Sequence, residues 1–200
     1  MPRQESRGPQ GEDRPRHQPG RTTSDGSESR RVLDLVPGRR SRKSAGLGLA
    51  GWLLLTLAIG YVGSLASRQA SSFYGALVRP AWAPPSSWFG PVWTALYVLM
   101  AVAAWLVWLR RGRPGARLAL GLFLAQLVPN VLWSWIFFQA QRGGLALLDL
   151  ALMWALLLAT IVMFARVRPL AASLLVPYLA WVTYAGALNL AVWRLNPGVL

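Results

Sequence analysis

The chain has 200 residues with an apolar share of 54%, high for a soluble domain of that length, and a formal net charge of +14. Residues 1–44 hold eleven basic and six acidic residues. The other ten basic residues, all Arg, lie between or just beyond long apolar runs, which marks membrane topology and excludes a nucleic-acid-binding face.

There is no Cys, and the single His is His17, so the remainder has no Cys or His with which to hold zinc or iron. No metal site, no fixed cofactor and no catalytic residue is expected. Residues 1–44 also lack aromatics, whereas all eleven Trp occur from Trp52 onward. The first segment cannot bury enough apolar area to offset the entropy of ordering, and it reads as a disordered basic tail.

A membrane-crossing helix needs about 20 largely apolar residues. Five segments meet that length, at 45–66, 89–109, 116–138, 145–165 and 170–192. The expected fold is an all-α membrane protein, a five-helix bundle in the lipid bilayer over residues 45–197. Most of the links are short, which makes sequential helices antiparallel neighbours. Basic residues number seventeen on the side of the tail and four on the other. That bias predicts a cytoplasmic N-terminus and an outward-facing long first loop. The expected location is a bacterial inner (plasma) membrane.

The long loop, 67–88, contains Arg79-Pro80-Ala81-Trp82-Ala83-Pro84-Pro85. Its prolines predict a stiff extended segment tied to the top of the second span, with Ser87 as helix cap and Pro91 in the first turn. On the second span Trp93, Tyr97, Met100 and Ala104 recur at helical spacing; on the third, Asn130, Trp133, Ser134 and Phe137; on the fifth, Tyr178, Trp181, Ala185 and Asn189. Gln126 lies one turn before Asn130. Polar side chains at membrane depth normally face a bundle interior or a cavity. Three stripes that mix aromatics with neutral hydrogen-bonding groups therefore point to a pocket for a flat, apolar ligand, although each residue alone fits a belt or interhelical role.

Pro129 predicts a kink in the third span. Asp149, the one acid after residue 44, reads as a first-turn residue of the fourth span, favoured by the helix dipole. Small-residue stripes at Ala151, Ala155 and Ala159, and at Gly121 and Ala125, suggest helix contacts within the bundle, with a dimer face as the other reading.

The stretch from Arg79 to Pro85, then Phe89-Gly90-Pro91-Val92-Trp93-Thr94 with Tyr97, resembles the TspO/translocator-protein family of tryptophan-rich sensory proteins. The match continues through Gln126, Asn130, Trp133-Ser134, Phe137-Phe138, Ala146, Asp149, Pro177-Tyr178, Trp181, Leu188-Asn189 and Asn196. What the resemblance implies is a five-helix membrane protein, commonly a homodimer. It would bind tetrapyrroles (porphyrin, haem) as ligands in a cavity beneath the first loop. Trp82 and Pro84 would belong to that loop, and Trp93, Tyr97, Asn130, Trp133, Phe137 and Trp181 would line the cavity. The implied role is a receptor or sensor regulating tetrapyrrole or stress responses. A transporter of such ligands and a light-dependent porphyrin-degrading protein are the alternatives. Leu190 stands where animal members carry the Tyr of their cholesterol motif, so cholesterol binding does not carry over.

Overall fold

The computed structural model describes residues 39–68 and 70–200, and every regular element among them is helical. The expected disorder of residues 1–38 lies outside the described residues. The helices are α1 (Arg39–Ala66), α2 (Ala70–Ala76), α3 (Phe89–Trp108), α4 (Ala116–Ser134), α5 (Gly143–Val167), α6 (Pro169–Ser173) and α7 (Val176–Leu195). Five stretches are long and apolar enough to cross a membrane: Ser44–Ala66, Ser86–Trp108, Ala116–Gln139, Gly143–Val167 and Pro169–Leu195. The chain is an integral membrane protein of the expected five-helix class.

Several boundaries move for identifiable reasons. Helix α1 begins at Arg39, so residues 39–44 are helical and not irregular. Arg, Lys and Ser cost a helix little, and they extend the apolar run by more than a turn. The expected fifth span divides into α6 and α7, because Pro177 has no N–H to donate and its ring crowds the carbonyl of Ser173, the last residue of α6. Helix α4 runs through Pro129 without interruption; the irregularity comes later, as a π-helical turn over Trp135–Gln139. Helix α5 starts at Gly143, where Trp193 lies so close that a Cβ on Gly143 would sit 2.8 Å from its ring.

Packing is uneven. Helices α4 and α5 run together over most of their length, as do α5 and α7, and α3 lies against α4. Phe123 and Phe164 stack across the α4–α5 seam at 5.9 Å. Helix α1 is the exception, since almost none of it is buried by the rest of the protein. It approaches α3 closely where glycines remove side-chain bulk and where single hydrogen bonds tie the two helices, Trp105 Nε1 donating to the Ala45 carbonyl at 2.8 Å. Gly48 meets Trp108, Gly60 meets Tyr97, and Thr56 Oγ1 donates to the Tyr97 carbonyl at 3.1 Å.

The first loop is more structured than its prolines suggest. It contains α2, a turn closed from Ala83 N–H to the Pro80 carbonyl (3.0 Å), and a 3-10 turn at Ser86–Trp88. Trp88, not Ser87, occupies the position before α3, and no side chain caps it. Pro91 is the third residue of α3, as expected. The Asn196 side chain fastens the loop from below α7: its Oδ1 accepts from Val78 N–H (2.9 Å) and its Nδ2 donates to the Val78 carbonyl (2.9 Å).

Candidate functional site: a slot between α1, α3 and α4

A cavity of about 760 Å³ lies between α1, α3 and α4, closed at the loop end by Tyr74, Ser86 and Ser87. That is within the ~300–1,000 Å³ usual for ligand sites. Its two long walls differ in chemistry. One is α1, presenting Gly60, Gly63, Ser64 and Ser67 together with Leu57 and Tyr61; the other is aromatic, with Trp93 and Tyr97 from α3 and Trp133 and Phe138 from the α4 side. Trp93 and Tyr97 stack with centroids 5.6 Å apart and planes 29° apart. A cavity with glycines on one side and stacked rings on the other suits a planar apolar molecule.

The polar groups are held rigidly. Tyr97 donates its hydroxyl to Asn130 Oδ1 (2.7 Å), and Asn130 Nδ2 donates to the Tyr178 hydroxyl (2.7 Å). Tyr178 in turn donates to Gln126 Oε1 (3.0 Å), and Gln126 Nε2 donates to the Phe123 carbonyl (3.0 Å). Every bond donates in the same sense, from Tyr97 toward the Phe123 carbonyl, which leaves the Tyr97 oxygen with acceptor capacity. Trp133 is fixed as well. Its Nε1 donates to Asn189 Oδ1 at 3.4 Å, while Asn189 Nδ2 donates to the Gly143 carbonyl at 2.9 Å.

Of the eight expected ligand-binding residues, Trp93, Tyr97, Asn130 and Trp133 line the cavity, and the other four do not. Trp82 packs edge-on to Tyr184 (5.7 Å), whose hydroxyl donates to the Trp82 carbonyl at 3.1 Å. Pro84 offers its carbonyl to the Tyr74 hydroxyl (3.3 Å). Trp181 sits against Phe89 and Tyr184, and its buried Nε1 has no hydrogen-bond partner. Phe137 faces a separate void of about 20 Å³, which shares Tyr74, Phe89, Trp133 and Phe138 with the large cavity. Phe137 stacks instead on Trp133, one turn before it (5.4 Å), and Phe138, one turn beyond Ser134, reaches the cavity.

Sequence reasoning missed the whole α1 wall, and with it Tyr74, Ser86 and Ser87. The run Gly60-Tyr61-Val62-Gly63-Ser64 carried a small-residue signal that could have marked a close helix approach. Burial raises the Tyr74 phenol above its ordinary range, with the nearby Arg79 charge acting in the opposite direction.

Asp149 is buried in the second turn of α5, not the first, and its Oδ2 has no hydrogen-bond partner. Ala151 and Ala155, and Gly121 and Ala125, are exposed on the bundle surface, so these stripes do not serve packing within the bundle as expected. Among the described residues no group of three His, Cys, Asp or Glu could hold a metal.

The model of the TspO/MBR family matches residues 52–194. The chain belongs to that family. It is 42% identical over 154 residues to "Tryptophan-rich protein TspO" of Chlorobaculum tepidum, a match covering 76% of this chain and 97% of that protein. It is 44% identical over 128 residues to "Translocator protein" of Homo sapiens, covering 63% and 76% respectively. A third relative, "Tryptophan-rich sensory protein" of Cereibacter sphaeroides, is 36% identical over 149 residues, covering 72% and 92%. The matched region begins at Trp52 and so takes in the α1 wall, both aromatic helices and the loop between them.

Proposed function

We propose that the chain is a membrane receptor or sensor that binds a tetrapyrrole, porphyrin or haem, in the slot between α1 and α3. The observation that carries this reading is the pairing of a Gly/Ser wall with the Trp93–Tyr97 stack across about 760 Å³. Ring stacking supplies the contact area, and Tyr97 and Asn130 supply a fixed polar edge. Haem, in this reading, is a ligand held by its face and not a ligated cofactor. The sensory name of the Cereibacter relative supports the same direction.

The functional unit is a homodimer in a bacterial inner membrane with the N-terminus in the cytoplasm. The charge bias of the links supports that orientation. The exposed Gly121–Ala125 stripe on α4 is the surface that would let two copies approach closely.

The test is a titration of purified protein in lipid nanodiscs with protoporphyrin, following Trp quenching and the Soret band together. Saturable binding that weakens about tenfold or more in a Trp93→Ala, Asn130→Ala double variant is the expected result. Equal binding by the variant, or by empty nanodiscs, removes the slot from consideration.

A further inference from the structure

We propose that Arg79 selects ligands that carry an acidic group on the ring edge, pairing with that group at the loop end of the slot. The inference rests on the slot being the ring site and adds the charge its ligand must have. The cavity itself is lined by aromatic, aliphatic, glycine and hydroxyl residues and the Asn130 amide, with no charged side chain. A cation stands immediately beside it. The Arg79 guanidinium lies over the Tyr74 ring, 4.8 Å from its centroid, and Tyr74 is buried and forms part of the cavity's loop end.

A guanidinium carries five N–H donors, so one that rests against the Tyr74 ring and hydroxyl keeps others for a carboxylate. Arg79 is exposed, so those donors are accessible. Tyr74 is fixed in turn through its hydroxyl on the Pro84 carbonyl, so the arginine rests on a rigid platform. The same rim carries the Ser86 and Ser87 hydroxyls, which can share an anion. Among the described residues the one acidic side chain, Asp149, is buried in α5. A planar ring in the slot with its acidic edge toward the loop would place anion against cation. A ligand with a cationic edge would place like against like.

The experiment compares protoporphyrin, a free diacid, with its dimethyl ester, whose ring is the same and whose edge is neutral. Both are titrated into the full chain in nanodiscs of uncharged lipid at low salt. The unmodified protein should bind the diacid about twofold to fivefold more tightly than the ester, the range of an exposed ion pair. Arg79→Gln should abolish that preference while leaving ester affinity unchanged, and Arg79→Lys should keep part of it. Arg68→Gln removes one charge from the same loop and should leave the preference intact.

Loss of preference in Arg68→Gln equal to that in Arg79→Gln would mean diffuse attraction and would overturn the proposal. So would equal affinities for diacid and ester in the unmodified chain, though the slot reading would then survive. If neither porphyrin binds saturably, the slot reading fails and this inference falls with it.

Discussion

Substituting Gly60 by Ala tests whether α1 is truly the second wall. An ideal Cβ on Gly60 would lie 2.5 Å from Tyr97 Cε2, 2.7 Å from Cδ2 and 3.1 Å from Cζ. Ordinary carbon contacts sit at about 3.5–4.0 Å, so something must move by roughly 1 Å. The ring cannot yield easily, since it stacks on Trp93 and its hydroxyl is held 2.7 Å from Asn130. A 1 Å displacement stretches that bond past hydrogen-bonding range. If α1 retreats instead, the Thr56 bond to the Tyr97 carbonyl is lost and the slot widens.

Overpacking of this kind costs about 1–3 kcal/mol, against a helix gain of roughly 0.5–1 kcal/mol for Gly→Ala. The net expectation is a loss of about 1 kcal/mol, read as a lower unfolding midpoint in nanodiscs, with porphyrin affinity reduced about tenfold. Gly63→Ala is the matched control, because its Cβ would meet only Ser134 Oγ at an ordinary 3.5 Å. It should be neutral or slightly stabilising. Gly60→Ala protein with unchanged stability and unchanged binding would refute the close approach of α1 to Tyr97.

Other outcomes follow from the same geometry. Asn130→Ala takes partners from both Tyr97 and Tyr178 and should cost about 1–3 kcal/mol in thermal or denaturant unfolding, with weaker porphyrin binding. Tyr178→Phe removes an acceptor and a donor that do not line the cavity, so stability should fall by about 1 kcal/mol while affinity in the quenching titration changes less than twofold. Trp82→Ala should leave affinity within about twofold, since its ring docks on Tyr184 and not in the slot. Asn196→Ala frees the Val78 amide, whose hydrogen exchange should accelerate by about tenfold, given a bond worth about 1 kcal/mol or more.

The five spans were legible in the sequence because bilayer thickness imposes a minimum apolar length that needs no tertiary information. Trp93, Tyr97, Asn130 and Trp133 were legible because each stripe lies on regular helix, where spacing gives direction. Beyond Ser134 spacing alone does not decide: Phe137 and Phe138 each lie one turn from Trp133 and Ser134, and the packing of Phe137 on Trp133 leaves the cavity to Phe138. Trp181 and Trp82 share the aromatic chemistry of the wall but spend it on Tyr184 and Phe89. Residue type cannot distinguish those two uses. The α1 wall escaped notice because a wall made of Gly60, Gly63 and Ser64 works through absent side chains, which hydropathy and aromatic spacing do not register.

Helix α1 forms one side of the slot yet is hardly covered by its own protein. Acyl chains must supply most of its contacts, so the bilayer is a structural component of the wall. Lateral pressure and acyl length then act on the slot's width directly, and an affinity measured in one lipid will not transfer to another. A detergent micelle, which confines helices far less than a bilayer, should report a weaker and softer site than a nanodisc of matched thickness. For a cavity built this way, the composition of the membrane is itself an input to its shape.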